Sequence, residues 1–174
     1  MSVLLKSISW NKNKIYYDIL ILFYCSVFLI VYISITLFVN SSITFESLLI
    51  KSTATLSICM LTFILSIGPL CRINSVFLPL LYNRRHLGIA FFLVASVHGV
   101  FAIIQFNGFS ATMPLDNFIL TVYQLVLHSN IPFELYGLVA LTIFLCLALT
   151  SHDFWLIVLG KENWKYLHML IYPA

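Results

Sequence analysis

At 174 residues, with 61% hydrophobic and only 9% charged residues, this chain cannot cover a water-exposed surface, because soluble domains carry about 25% charged residues. A net charge of +3 is too small and too scattered to indicate nucleic-acid binding. The four cysteines include no C-x-x-C pair, which argues against an iron–sulfur cluster or a structural zinc site; we expect buried thiols. The composition, with a mean hydropathy of +1.04, predicts an all-α polytopic transmembrane helix bundle in a lipid bilayer.

Four apolar runs are candidates for full transmembrane helices. They cover about Tyr16 to Val39, Phe45 to Leu70, Leu87 to Phe106 and Ile131 to Leu149. A span needs about 20 residues, at about 1.5 Å each, to cross about 30 Å of hydrocarbon. The first run exceeds the roughly 7–15 residues of a signal-peptide core, so we expect it to be retained. Gly68-Pro69 is expected to end the second run.

Two further stretches are apolar but shorter. Residues 110–130 are interrupted by Pro114 and two polar residues, and their middle part, 118–127, is expected to lie in the interface or to fold back as a re-entrant segment. Trp164 to Ala174 predicts the opening turns of a fifth helix. A helix that ended at that depth would leave carbonyl groups unsatisfied in hydrocarbon. We therefore expect the chain to be the N-terminal part of a longer protein.

The basic residues indicate how the chain crosses the membrane. Eight of the nine Lys and Arg residues fall before the first helix, between the second and third, or between the fourth and fifth. The opposite loops, 40–45 and 107–130, contain none, and the ninth, Lys51, lies near the outer end of the second helix. The positive-inside rule then predicts that the N-terminal segment, 1–15, is cytoplasmic.

Histidines are the residues most able to carry chemistry in this composition. His98 falls near the middle of the third apolar run, where an imidazole needs a partner, and haem iron is one such partner. Arg84 lies about 40° round the helix from His98 and ~21 Å away along it. Gly99 beside His98 is expected to leave room for a flat group. The alternative is that His98 bonds to a carbonyl group of a neighbouring helix and that the surrounding aromatic residues are ordinary packing.

Two motifs resemble those of the ferric reductase-like transmembrane family, which includes ferric reductases, NADPH oxidases and the haem-binding membrane subunit of bacterial methionine sulfoxide reductase systems. The first is an R-R-x-L-G pattern with a histidine ten residues after the glycine, and it is met by Leu81-Tyr82-Asn83-Arg84-Arg85-His86-Leu87-Gly88 and Val97-His98-Gly99. The second is similar to T-S…L-G…W-K-x-L-H-x-L-x-Y and is met by Leu149-Thr150-Ser151, Leu159-Gly160, Trp164-Lys165, Leu167-His168 and Tyr172. Together the motifs cover about half of the chain.

The resemblance implies that residues 1–174 form a haem-binding transmembrane domain in a bacterial inner membrane. It implies that His98 ligates the iron of an outer haem b and that His168 is a ligand at the inner level. The helical spacing of Arg84 from His98 predicts that Arg84 neutralises a propionate. The fuller family pattern has two histidines on each of helices three and five, holding two haems. Here Arg84 stands at the position of the first helix-three histidine, and the second histidine of helix five would fall beyond Ala174. The resemblance is therefore compatible with one haem or with two. His86 is the candidate for a second cofactor-binding residue at the level of His168, because it is the only helix-three histidine near that level. It lies about 120° round the helix from His98, so these two cannot share one face.

The remaining polar and aromatic residues have interfacial interpretations. We expect His152 and His128 at membrane surfaces, with a haem edge or a quinone pocket as alternative settings for His152. Trp155 and Trp164 are expected to be interfacial anchors. Arg85 lies about 100° round the helix from Arg84. It is expected to act only as a topological charge.

These observations predict transmembrane electron transfer through b-type haem, as the membrane component of an oxidoreductase. The electron donor would be a flavin or iron–sulfur module, in this protein or another subunit, or a quinone. The alternative is a non-catalytic membrane subunit or a small-molecule transporter that uses the histidines for packing or for proton handling. The second and third helices contain no carboxylate after Glu46, which argues against a proton-coupled transporter.

Overall fold

The computed structural model describes residues 12–107, 114–127 and 133–172, and the regular elements in these ranges are all helical. They are α1 (Lys12–Val39), α2 (Phe45–Ile73), a 3-10 turn (Ser75–Phe77), α3 (Leu78–Asn107), α4 (Pro114–Leu127), α5 (Phe133–Leu149) and α6 (Asp153–Met169). Three of them, α1 to α3, are long and apolar enough to cross a bilayer, and α5 with α6 adds a fourth span if the bent pair counts as one. The predicted all-α membrane bundle is confirmed, and the chain is an integral membrane protein.

The junction between α2 and α3 differs from the prediction. Pro69 lies inside α2, which continues to Ile73, so the expected break at Gly68-Pro69 is wrong. α3 begins at Leu78 instead of Leu87, and Arg84, Arg85 and His86 are therefore helical residues. Asn74 makes the turn, since its backbone N–H donates to the Leu70 carbonyl at 3.0 Å and its side chain accepts from the Val76 N–H at 3.0 Å. An apolar run marks only the part of a helix that lies in the hydrocarbon core, whereas α2 and α3 both extend beyond their apolar runs.

α4 and α6 lie in the two regions whose apolar stretches are shorter than a transmembrane helix. The 14 residues of α4 reach only about 21 Å, and its place in the interface stays a prediction. α6 begins at Asp153, at 112° to α5 and eleven residues before the expected helix start at Trp164. The helix is nevertheless interrupted at Gly160, where φ is 76° and ψ is 158°, a region that essentially only glycine occupies. His128 lies outside the described residues.

The core lies between α2 and α3. Its buried apolar residues are Leu56, Met60, Ile64 and Ile67 of α2 and Leu87, Phe91 and Ala95 of α3. Nearer the start of α2, three small polar residues are also buried, and their hydroxyl groups donate to carbonyl groups of the same helix: Ser52, Thr53 and Ser57. Small side chains of this kind let membrane helices approach closely. α5 joins the core through Phe144, whose ring meets that of Phe91 edge to face at 4.8 Å.

α1 is the most exposed of the three long apolar helices. None of its most apolar stretch is buried within the protein, although Ile21, Cys25, Phe28 and Leu29 pack against the core. Cys59 and Cys146 are also exposed, so the expectation of four buried thiols is wrong for these two. A thiol that faces lipid is not in water, and it needs no burial among protein atoms to avoid the aqueous phase.

Candidate functional site

A cavity of about 760 Å³ lies between α3, α5 and α6, within the range of roughly 300–1,000 Å³ that is usual for small-molecule and cofactor sites. Much of its wall is apolar and aromatic, formed by Ile64, Phe91, Phe92, Phe144 and Leu147. Four cationic side chains share the same cavity: Lys14, Arg84, Arg85 and Lys165. The cavity thus suits an amphipathic ligand with a flat apolar body and anionic groups.

Arg84 and Arg85 both line the cavity, although they are neighbours on α3. Arg84 is partly buried. Arg85 forms an ion pair with Asp153, the first residue of α6. Arg85 thus makes a structural contact in addition to its topological charge, since its guanidinium joins α3 to the start of α6.

Gly88 leaves open space in the cavity wall. It lies one turn after Arg84 and just before Phe91, and a Cβ atom added here would meet no atom within 4 Å. The sequence motif R-R-x-L-G thus places two cations and an unobstructed stretch of helix on the same cavity.

His86 lines the cavity and is tied to α1. Its Nδ1 lies 2.8 Å from Oδ1 of Asp18, and because a carboxylate accepts, the imidazole donates through Nδ1. The two side chains are only 27% and 35% exposed. No local sequence pattern could have found this pair, because its members are 68 positions apart.

His168, in the second half of α6, also lines the cavity. Its Nδ1 lies 3.1 Å from the carbonyl oxygen of Trp164, one turn earlier. Since a carbonyl oxygen can only accept, Nδ1 carries the hydrogen, and in the neutral ring Nε2 keeps its lone pair. This is the tautomer that a metal ion requires of an imidazole bound through Nε2.

His98 occupies a different part of α3 and is not among the residues that line this cavity. Its Nδ1 lies 3.1 Å from the carbonyl oxygen of Ile50 on α2, the kind of contact that the alternative interpretation of this residue anticipated. The same bond leaves the Nε2 lone pair available. Gly99 does not leave room for a flat group, because a Cβ atom there would come within 3.0 Å of the Leu141 side chain of α5. Its missing side chain serves helix packing.

His152 has the opposite arrangement of ring nitrogens. It precedes α6 as the N-cap, and its Nδ1 accepts from the Phe154 backbone N–H at 3.1 Å. In the neutral ring the hydrogen is then on Nε2, which leaves no lone pair there for a metal. Hydrogen bonding thus distinguishes His152 from His86, His98 and His168.

Trp164 was expected to be an interfacial anchor, but its indole lines the cavity. The ring stacks on the His168 imidazole at 3.9 Å between centroids, with 28° between the planes. Its Nε1–H donates to the Thr150 carbonyl at 2.9 Å. The spacing of four residues to His168, which puts both side chains on one helix face, is the sequence signal that could have found it.

The cavity therefore brings together Arg84, His86 and His168, while His98 lies apart from it. The family model described as "Ferric reductase like transmembrane component" matches residues 51–174, a range that includes all four of these residues. Searches of curated proteins and of solved structures give no match. Because the family model covers well over half of the chain, the chain belongs to the ferric reductase-like transmembrane component family.

Proposed function

We propose that this protein is a membrane electron-transfer component that binds haem b in the cavity between α3, α5 and α6. The observation that carries the proposal is the position of His168, whose Nε2 is available in a cavity with aromatic walls and a set of cations. When bound, haem supplies one-electron exchange at its iron. The protein supplies the ligand, the orientation and the low dielectric.

The residues that are present fit such a group. Nε2 of His168 is the proposed iron ligand, held in the right tautomer by the Trp164 carbonyl. Phe91 and Phe144 provide apolar contact for a flat ring, and Gly88 leaves space beside them. Arg84 is the proposed partner of a propionate, because charge-assisted bonds from guanidinium to carboxylate are strong.

His86 and His98 have separate roles in the proposal. His86 lies on the same cavity as His168 and is the candidate for a second contact to that cofactor, with its ring oriented by Asp18. His98 lies about 18 Å further along α3, so its role as an iron ligand requires a second haem at that level.

The family and the membrane location support the assignment of partners. We propose a flavin module, an iron–sulfur module or a quinone as the electron donor, and a bacterial inner membrane with a cytoplasmic N-terminus as the setting. The excess of Lys and Arg in one set of loops supports that orientation.

The test is a haem titration of the purified natural protein in detergent. We expect a b-type absorption spectrum for the wild type and loss of most haem affinity in His168→Asn. The matched control is His152→Asn, which should bind like wild type, because asparagine is also a good N-cap residue. A folded wild-type protein that binds no haem would overturn the proposal, as would a folded His168→Asn protein with wild-type affinity and spectrum.

A further inference from the structure

The indole and the backbone carbonyl group of Trp164 both contact the imidazole ring of His168. Its imidazole stacks on the Trp164 indole at 3.9 Å between centroids. Its Nδ1 bonds to the carbonyl oxygen of the same tryptophan at 3.1 Å. The stack restricts the plane of the imidazole, and the hydrogen bond fixes its tautomer.

Trp164 is itself anchored to another helix. Its Nε1–H donates to the carbonyl oxygen of Thr150 at 2.9 Å, and Thr150 directly follows the end of α5. The carbonyl groups at a helix C-terminus lack partners within the helix, and a partly buried indole N–H needs an acceptor. The bond satisfies both groups and links α5 to the second half of α6.

The link matters because the backbone between these two points is not a continuous helix. α6 is interrupted at Gly160, four residues before Trp164, by a backbone conformation with φ of 76° and ψ of 158°. Glycine loses more conformational freedom on folding than any other residue. The backbone alone therefore does not fix the orientation of the segment that carries His168. Contacts with other parts of the protein hold this segment in place, and the Trp164–Thr150 bond is one of them.

We propose that Trp164 is a positioning residue for His168: it holds the imidazole plane and tautomer so that Nε2 is presented to the cavity. The proposal rests on the function proposed above, since it concerns the ligand of the cofactor. Partners of this kind, which orient a metal ligand, typically change metal affinity by about 10–100-fold when they are replaced.

The first test does not use haem. Side-chain ¹⁵N NMR of histidine-labelled, haem-free protein in detergent reports which ring nitrogen of His168 carries the hydrogen, with His168→Asn to assign its signals. We expect the Nδ1–H tautomer in the wild type. In Trp164→Leu the backbone carbonyl group of residue 164 remains, but the indole no longer holds the imidazole plane against it, so the ring can turn away and we expect a mixture of tautomers. Trp164→Phe retains a stacking ring but loses the bond to Thr150, so an intermediate mixture is expected.

The second test measures haem affinity and midpoint potential in the same variants. We expect Trp164→Leu to weaken haem binding by about 10–100-fold, with Trp164→Phe between it and the wild type. Trp155→Leu is the matched control, because its indole packs edge to face on Phe154 and does not line the cavity. Circular dichroism identifies any variant that does not fold; if Trp164→Leu is one, Trp164→Phe decides.

The outcomes separate the two proposals. A wild-type protein without haem affinity would defeat the proposed function, while the NMR comparison would still judge the role of Trp164. The positioning role is overturned if folded Trp164→Leu keeps the wild-type tautomer of His168. It is also overturned if Trp155→Leu weakens haem binding as much as Trp164→Leu does.

Discussion

The carboxylate of Asp18 on α1 and the imidazole of His86 on α3 approach each other to 2.8 Å. Both side chains are about two-thirds buried, so the pair is shielded from water more than an ordinary surface ion pair. It connects α1 to the wall of the cavity, because His86 also lines that cavity. α1 thereby contributes to the site although it lies outside the matched range of the family.

Asp18→Asn should therefore loosen α1. The neutral amide keeps the shape but loses the charge, and we expect the free energy of unfolding to fall by about 1 kcal/mol, between the values for exposed ion pairs and for buried charged hydrogen bonds. Denaturant titration in detergent measures the change. Glu162→Gln, at an exposed position of α6, is the control. Equal unfolding midpoints for the two variants would contradict a stabilising Asp18–His86 pair.

Gly160→Ala should destabilise the second half of α6. With φ at 76° and ψ at 158°, a residue with a Cβ atom is strained by about 1–3 kcal/mol, and relief of that strain would turn the segment that carries His168. We expect lower stability together with weaker haem binding. Gly137→Ala makes the same chemical change inside α5, where nothing lies within 4 Å of the new atom. It should be neutral, or stabilising by up to about 1 kcal/mol, and a similar loss in both variants would refute the backbone argument.

Gly88→Leu and Gly99→Leu should affect different properties. At Gly88 the added side chain enters open cavity space, so haem affinity should fall while the unfolding midpoint is retained. At Gly99 it meets Leu141, and overpacking of this kind costs typically 1–3 kcal/mol (an approximate range). Haem titration and denaturant unfolding of both variants distinguish the two effects. A loss of stability at Gly88, with none at Gly99, would reverse the assignment.

Arg84→Gln should weaken haem binding without preventing folding. Removal of the guanidinium leaves a propionate without its charged partner, which is costly near apolar surroundings. Arg72→Gln is the control, because Arg72 is exposed at the end of α2 and lies outside the cavity lining. Equal haem affinity in the two variants would leave Arg84 with a topological role only.

The long helices could be predicted from the sequence because a lipid environment demands a run of apolar residues, and such runs are visible without any tertiary information. The start of α3 could not, since residues 78–86 lie outside the apolar run while the backbone there is helical. The cavity residues Arg84 and His168 were found through motifs. The pairing of Asp18 with His86 was not, because it joins helices that are far apart in the sequence.

The packing around the small residues of α3 also could not be predicted from the sequence. Gly88 and Gly99 lie on the same helix with similar neighbours in the sequence. Gly88 borders open space, yet the space beside Gly99 is occupied by the Leu141 side chain. Which of the two applies depends on where α5 crosses α3, a relationship that no pattern within α3 contains. Trp164 is the intermediate case, because its spacing from His168 was available, whereas its bond to Thr150 across the bend was not.

The orientation that the charges predict for the bundle can be tested at the two ends of α2. Ser42 precedes this helix and Ser75 follows it, and both are exposed. A single cysteine would be introduced at either position after the native cysteines, Cys25, Cys59, Cys71 and Cys146, are replaced by alanine. Because the basic loops are expected inside, Ser42→Cys should react with a membrane-impermeant maleimide in intact cells, and Ser75→Cys only after permeabilisation.

The two variants control for each other, since they present the same thiol at exposed sites of one helix. Reaction of Ser75→Cys alone in intact cells would invert the topology, and the cationic cavity residues Lys14, Arg84 and Lys165 would then face the outside.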